Sequence, residues 1–458
     1  MKVYDLKPTY DNLMKTFVED AIGRNTDVLR FVRILNGIEG SCAIALDGNW
    51  GSGKTFFVKQ TKMVLDAYNE NIKVVNQDDR EKIKNICSDI FEDSLFELQP
   101  QVCVYYDAWE NDNDDDPVLS LVYTILNDVD TDFSFEDVSC IKVAASIMEV
   151  FSGRNWTQLI ENFKSASPLN ALKESKNIEQ LVQEFLKSLL PERGNRLIVF
   201  IDELDRCKPS YAVRLLERIK HYFTNDQITF VFSVNTNELQ HTIQKYYGNE
   251  FDSSRYLDRF FDLRVTLPPA NLQKFYQSLN FNDSHYTFDI VCGAFIKAYH
   301  LELREIARYI RFTKIAAYDP THNDLYRFSF SEGRAELFCL LYVIPIMIGL
   351  KVSNTKKYAD FIEGRDYTPL NKVSDIVQVE FFKDLLNRKE TYDELDTTHT
   401  VVTVAEKLKE VYNALFATNY GIKNYYIDIG NMRFQEKTKE LLLRTSGLLS
   451  QYTNLDID

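Results

Sequence analysis

Apolar residues along this chain fall into two kinds of run. Five are short and nearly unbroken, near residues 42–47, 101–106, 196–201, 228–234 and 262–267. Runs of that length without polar alternation predict strands buried on both faces. Between them the apolar positions recur every three or four residues, the spacing of helices that bury one side. Leu13, Phe17, Ala21 and then Val28, Phe31, Val32, Leu35 share such a face. Residues 56–65 and 209–223 read the same way. Strands alternating with helices predict an α/β fold with a five-stranded parallel sheet over residues 1–270. Within it, residues 131–193 read as a mostly helical insertion, where Ile178, Leu181, Phe185 and Leu189 share a face. After Pro269 strand signals fade. Residues 271–330 read as a helical lid and 331–458 as a C-terminal helical domain, with 424–429 open between strand and helix. The longest apolar run, 337–350, is too short to span a bilayer and contains Pro345, so a buried core helix is expected.

The first strand runs into Gly48-Asn49-Trp50-Gly51-Ser52-Gly53-Lys54-Thr55, which fits the phosphate-loop pattern G-x-x-x-x-G-K-[ST]. Glycines let the backbone turn tightly and point N–H groups at phosphate oxygens. The helix that begins at Lys54 and continues through Phe56 adds its positive dipole end. Lys54 would reach the β- and γ-phosphates, and the Thr55 hydroxyl would ligate Mg²⁺. The third strand ends in Asp202-Glu203, which puts two carboxylates at the edge where open parallel sheets bind ligands. Asp202 suits the Mg²⁺ contact, direct or through water, and Glu203 suits polarising an attacking water.

Other polar positions carry two readings each. Asn235, at the end of the fourth strand, is either a water-positioning residue or a turn asparagine. Arg255 and Arg259 either enter a neighbouring subunit's nucleotide site or make surface salt bridges. Of Arg304, Arg308 and Arg311, either one reaches a phosphate from the lid side or they form a solvated basic stripe, the default for two of the three. In the acidic run 110–116, Asp116 is expected to cap a helix with Pro117 at its first position, rather than to bind Ca²⁺.

Composition removes several classes. A net charge of −15 argues against bulk binding to nucleic acid or anionic membrane, although a local basic patch remains compatible with it. The seven cysteines are scattered without zinc spacing, and with the absence of a signal-peptide pattern in residues 1–20 they fit a reducing cytoplasm. No [N/T]-K-x-D guanine motif occurs.

Several spaced motifs resemble the KAP family of P-loop NTPases. They are the phosphate loop with Trp50 before its central glycine, Asp202-Glu203-Leu204-Asp205-Arg206-Cys207, and Tyr106-Asp107-Ala108-Trp109 followed by Asp116-Pro117. Tyr256-Leu257-Asp258-Arg259 and Leu303-Arg304-Glu305-Ile306 complete the set, with Leu303 where the family often has proline. The resemblance covers residues 10–320. It implies sheet order 5-1-4-3-2, a helical lid and ATP as the nucleotide. The chain lacks the inserted membrane helices of many members and so resembles the soluble bacterial branch. Some of that branch act in phage exclusion or beside effector proteins. The expectation is an Mg²⁺-dependent ATPase in the cytoplasm, homo-oligomeric through its arginines, with an effector partner. The alternatives are a nucleotide-gated switch or scaffold, and a nucleic-acid motor, which the charge disfavours.

Overall fold

The computed structural model describes residues 7–72, 75–90, 98–114, 116–130, 183–185, 189–190, 193–223, 225–317, 333–386, 403–417 and 426–447. The chain divides into two compact units, Lys7–Phe275 and Tyr276–Asp458. The insertion expected at 131–193 lies almost wholly outside the described residues; of its expected face, Phe185 and Leu189 are described and both are buried.

The first unit is built on five parallel strands: β1 (Cys42–Asp47), β2 (Gln101–Asp107), β3 (Arg196–Asp202), β4 (Ile228–Val234) and β5 (Leu263–Thr266). Their order is β2-β3-β4-β1-β5, which is the 5-1-4-3-2 arrangement that the motifs imply. The apolar runs are unbroken because both faces are covered. On one face Val104, Tyr106, Val199, Ile201, Phe230 and Phe232 pack against α5 (Pro117–Asp130), α6 (Pro209–Tyr222) and α7 (Thr236–Tyr247). On the other, Ile44, Leu46, Ile198, Phe200 and Val231 pack against α1 (Tyr10–Val18), α2 (Asn25–Asn36), α3 (Lys54–Tyr68) and α4 (Gln77–Ile90). Asp116 does cap α5, since its Oδ1 accepts the Val118 N–H at 2.8 Å. A short helix, α8 (Ser253–Leu257), leads into β5.

The helix after the first strand is anchored by charge as well as by apolar contact. Lys62 Nζ lies 2.8 Å from Asp66 Oδ2 in a largely buried pair one turn apart on α3. Burial pushes the Asp66 carboxyl up, and the Lys62 charge opposes it.

The second unit contains α9 (Thr287–Tyr299), α10 (Leu303–Ala317), α11 (Arg334–Phe338), α12 (Ile344–Ser353), α13 (Thr355–Ile362), α14 (Thr368–Ser374), α15 (Phe381–Leu386), α16 (Val404–Phe416) and α17 (Glu436–Ser446). The apolar run at 337–350 is helical and buried. A wider π turn at Cys339–Val343 joins α11 to α12 just before Pro345, whose missing N–H would interrupt a regular ladder. The stretch Arg334–Ser353 is long and apolar enough to cross a membrane, and 72% of its most apolar window is buried inside the fold. The stretch left open between strand and helix is a strand in its described part. Residues Tyr426–Ile429 form β6, paired antiparallel with β7 (Met432–Gln435) in a hairpin. Its two-residue turn uses Gly430 at φ +55°, tucked against α15.

Two stability effects follow. Asp66→Ala strands the Lys62 ammonium without its nearest partner and should cost about 3 kcal/mol, read as a lower midpoint in thermal denaturation. A Cβ at Gly430 would lie 2.1 Å from the Asp384 carbonyl oxygen and 2.6 Å from that of Leu385. Gly430→Ala should therefore cost about 2 kcal/mol or more. An unchanged melting temperature in either variant would contradict the corresponding contact.

Candidate functional site

The phosphate-loop sequence forms a loop between β1 and α3. Gly51 and Gly53 have φ of 84° and 95°, left-handed values that side chains resist. At Gly48, whose N–H donates to the Val234 carbonyl at 3.1 Å, an added Cβ would meet Ser52 Oγ at 3.1 Å and Leu267 Cβ at 3.2 Å. The loop is also closed from within, as Ser52 Oγ donates to the Asn49 carbonyl at 2.7 Å. From outside, Arg24 Nη1 donates to the Ser52 carbonyl at 2.8 Å. Lys54 Nζ folds over the loop and donates to the carbonyls of Gly48 at 2.6 Å and Asn49 at 3.2 Å. Burial pulls its pKa down, against the nearby charges of Asp205, Asp202 and Glu203. Phe56 is half-buried and packs on the apolar core beneath the loop.

β3 delivers its acids to the same place. Thr55 Oγ1 donates to Asp202 Oδ2 at 2.7 Å, and the Tyr105 hydroxyl donates to the same oxygen at 2.9 Å. The other Asp202 oxygen accepts the Glu203 N–H at 3.0 Å. Asp202 is buried, so its orientation is fixed by three donors from three segments. Glu203 sits in the left-handed region at φ 61°. Burial, then the charge of Asp202, pushes its pKa up to about 7, and Arg206 opposes them. Burial also pushes the Asp205 carboxyl up.

A half-buried hydroxyl and a buried carboxylate in contact are hard oxygen donors of the kind Mg²⁺ takes alongside phosphate oxygens and water. The donor set fits that ion. Among the described residues no cluster of three or more His, Cys, Asp or Glu side chains could hold a metal by itself. A cation here would thus depend on the nucleotide's own oxygens.

The remaining candidates are placed differently. Asn235 ends β4 beside the acids, and its side chain caps α7 by accepting the N–H groups of Asn237 at 3.2 Å and Glu238 at 3.3 Å. Its carbonyl oxygen is therefore occupied, and the turn-asparagine reading describes that half of the amide. Arg255 and Arg259 are exposed on and just after α8. α7 starts at the site edge of the sheet and runs away from it, and β5 begins beside Ile44. Both arginines therefore lie toward the edge opposite their own phosphate loop. Among the described residues neither guanidinium has a hydrogen-bond or ion-pair partner. Arg304 belongs to the second unit, exposed on α10.

Sequence reasoning gave no role to Tyr105, Arg24 or Arg206. Tyr105 was detectable, because alternation along β2 puts it on the face of Asp107, the register partner of Asp202. Arg24 had no local signal.

A family profile described as the KAP family P-loop domain matches residues 24–286. An uncharacterized protein of Methanocaldococcus jannaschii is 25% identical over 164 residues, covering 27% of this chain and 84% of that protein. Among solved structures, the Aeropyrum pernix ORC2 protein, in its ADPNP-ADP complexes, aligns with a TM-score of 0.31 and 9% identity over 93% of this chain and 94% of that one. The profile takes in more than half of the chain, from the phosphate loop through the acid pair to β5, and the chain belongs to the KAP family of P-loop NTPases.

Proposed function

We propose that this chain is an Mg²⁺-dependent ATPase. The observation that carries the reading is the 2.7 Å contact between Thr55 and Asp202 directly beneath the phosphate loop, with Glu203 next in sequence. ATP rather than GTP is supported by the family and by the missing guanine motif. Lys54 and the loop N–H groups would bind the β- and γ-phosphates. Thr55 and Asp202 would hold Mg²⁺, whose charge offsets that developing on the phosphate oxygens.

Glu203 is the general base. Its raised pKa, about 7, puts it near the ideal range for proton transfer at neutral pH. A water oxygen attacks the γ-phosphorus and its proton passes to the Glu203 carboxylate, while the bond to the ADP oxygen breaks. Lys54 meets the charge on that leaving oxygen. The amide nitrogen of Asn235, whose oxygen caps α7, would orient the water. Arg255 or Arg259, placed away from its own site, would serve the site of a second copy, and Arg304 would sense the nucleotide from the lid.

We read the turnover as driving or gating an effector protein in the cytoplasm. A role in anti-phage defence rests on the family resemblance alone. A switch with little turnover uses the same residues, and the observation in its favour is an ion pair between Glu203 and Arg206. A paired carboxylate must keep one oxygen available to act as a base.

Lys54→Ala should weaken binding of a fluorescent ATP analogue and abolish phosphate release. Glu203→Gln should leave binding intact and lower kcat by about 10²- to 10⁴-fold; wild-type turnover in Glu203→Gln would contradict the assignment. The double variant Arg255→Ala/Arg259→Ala should lower kcat by about 10³-fold at unchanged nucleotide affinity. Sedimentation with a non-hydrolysable ATP analogue should show an assembly for the wild-type chain. A monomer with and without the analogue would remove the trans role.

A further inference from the structure

Glu203 is not alone at the end of β3. Its Oε2 lies 2.5 Å from Nε of Arg206, on the short turn Leu204–Arg206 that follows. Arg206 in turn lies near two tryptophans. Its guanidinium carbon is 5.8 Å from the ring centre of Trp50 and 5.7 Å from that of Trp109. Trp50 belongs to the phosphate loop and Trp109 to the turn after β2, so three separate segments meet on one side chain.

The Trp50 ring and the Trp109 turn are each held in place. The Trp50 indole N–H donates to Asp205 Oδ2. The Trp109 turn is held by Asp107 Oδ1, which accepts the N–H groups of Trp109 at 3.1 Å and Glu110 at 3.0 Å. The Ala108 N–H donates to the Asp202 carbonyl at 3.0 Å. Core packing does not explain the rings, because Trp50 is 45% and Trp109 53% exposed. Large aromatic side chains left half in water forgo most of the burial that usually places them. Both rings lie within cation–π range of one guanidinium, a planar cation that also pairs with carboxylates in a fixed geometry.

We propose that Arg206 is a positioning residue for Glu203, kept beside Trp50 and Trp109 so that the carboxylate keeps a fixed aim relative to the phosphate loop. The inference rests on Glu203 being the general base. A guanidinium within cation–π reach of two rings loses rotational freedom, and the carboxylate paired with it inherits that restriction. The ion pair engages Oε2, and Oε1 is the oxygen that takes the water's proton. It also steadies Glu203 in a left-handed backbone conformation, which a non-glycine residue resists. Because Trp50 is part of the loop, movement of the loop around phosphates is passed to Glu203 through Arg206.

Steady-state ATP hydrolysis by the full chain tests this, with binding of a fluorescent ADP analogue and melting temperature measured alongside. Arg206→Ala should lower kcat by about 10²-fold, the cost of misplacing a reacting group, with KM and analogue affinity within about twofold of wild type. Arg206→Lys keeps the charge without the planar fork; it should retain the wild-type melting temperature and still lose most of kcat. Trp50→Phe should lower kcat less, and adding it to Arg206→Ala should cost nothing further, because both act through one contact. Wild-type or higher kcat in Arg206→Lys and Arg206→Ala, with Glu203→Gln inactive, would overturn the positioning role and favour a latch that restrains the base. An active Glu203→Gln would instead overturn the base assignment beneath it.

Discussion

The hydrogen bond from Thr55 to Asp202 joins positions 147 residues apart in the chain. It depends on the sheet. β4 alone separates β1 from β3, so the residue that opens α3 and the acid that ends β3 come out at the same edge. A parallel sheet covered on both faces leaves its C-terminal edge as the place where polar groups can converge. The rest of the site is arranged to hold that contact. Tyr105 and the Glu203 N–H orient the carboxylate, Arg24 ties the loop to the start of α2, and the Lys62–Asp66 pair is buried on the helix that carries Thr55.

The sequence shows those parts of this arrangement whose physics is local. Left-handed glycines followed by Lys-Thr can be read directly because the backbone conformation at Gly51 and Gly53 selects the residue type. The strands can be read because double burial writes unbroken apolar runs, and β1 to β5 fall within a residue or two of those runs. The hairpin β6–β7 was less visible, since each strand has only four residues. Its signal was the Gly430-Asn431 pair between alternating residues. At Asn235 the pattern Asn-Thr-Asn-Glu announces a helix cap, and the side chain forms that cap where β4 ends. Arg24 and Arg206 were the hardest. Each takes its meaning from partners on other segments: Arg24 from Ser52, and Arg206 from Trp50 and Trp109.

Charge is distributed unevenly across the first unit. The edge bearing the phosphate loop carries Asp107, Asp202, Glu203 and Asp205, with Lys54 and Arg206 among them as countercharges. Toward the opposite edge, Arg255 and Arg259 stand exposed. The trans role proposed for these arginines would bring them to the acidic edge of a second copy. Head-to-tail contacts of that kind would close into rings or extend as filaments. The net charge of −15 therefore says little about this protein's own contacts, because the local arrangement decides them.

The central claim is that Thr55 and Asp202 hold Mg²⁺ for hydrolysis of ATP. The most direct measurement is phosphate release by the wild-type chain at saturating ATP while free Mg²⁺ is raised from chelated to millimolar levels, in parallel with Asp202→Asn. If these two residues hold the ion, turnover is absent under chelation and rises saturably with Mg²⁺, and the rise shifts to higher Mg²⁺ in Asp202→Asn. Turnover that is indifferent to chelation, or an Asp202→Asn curve that overlays the wild type, would contradict it.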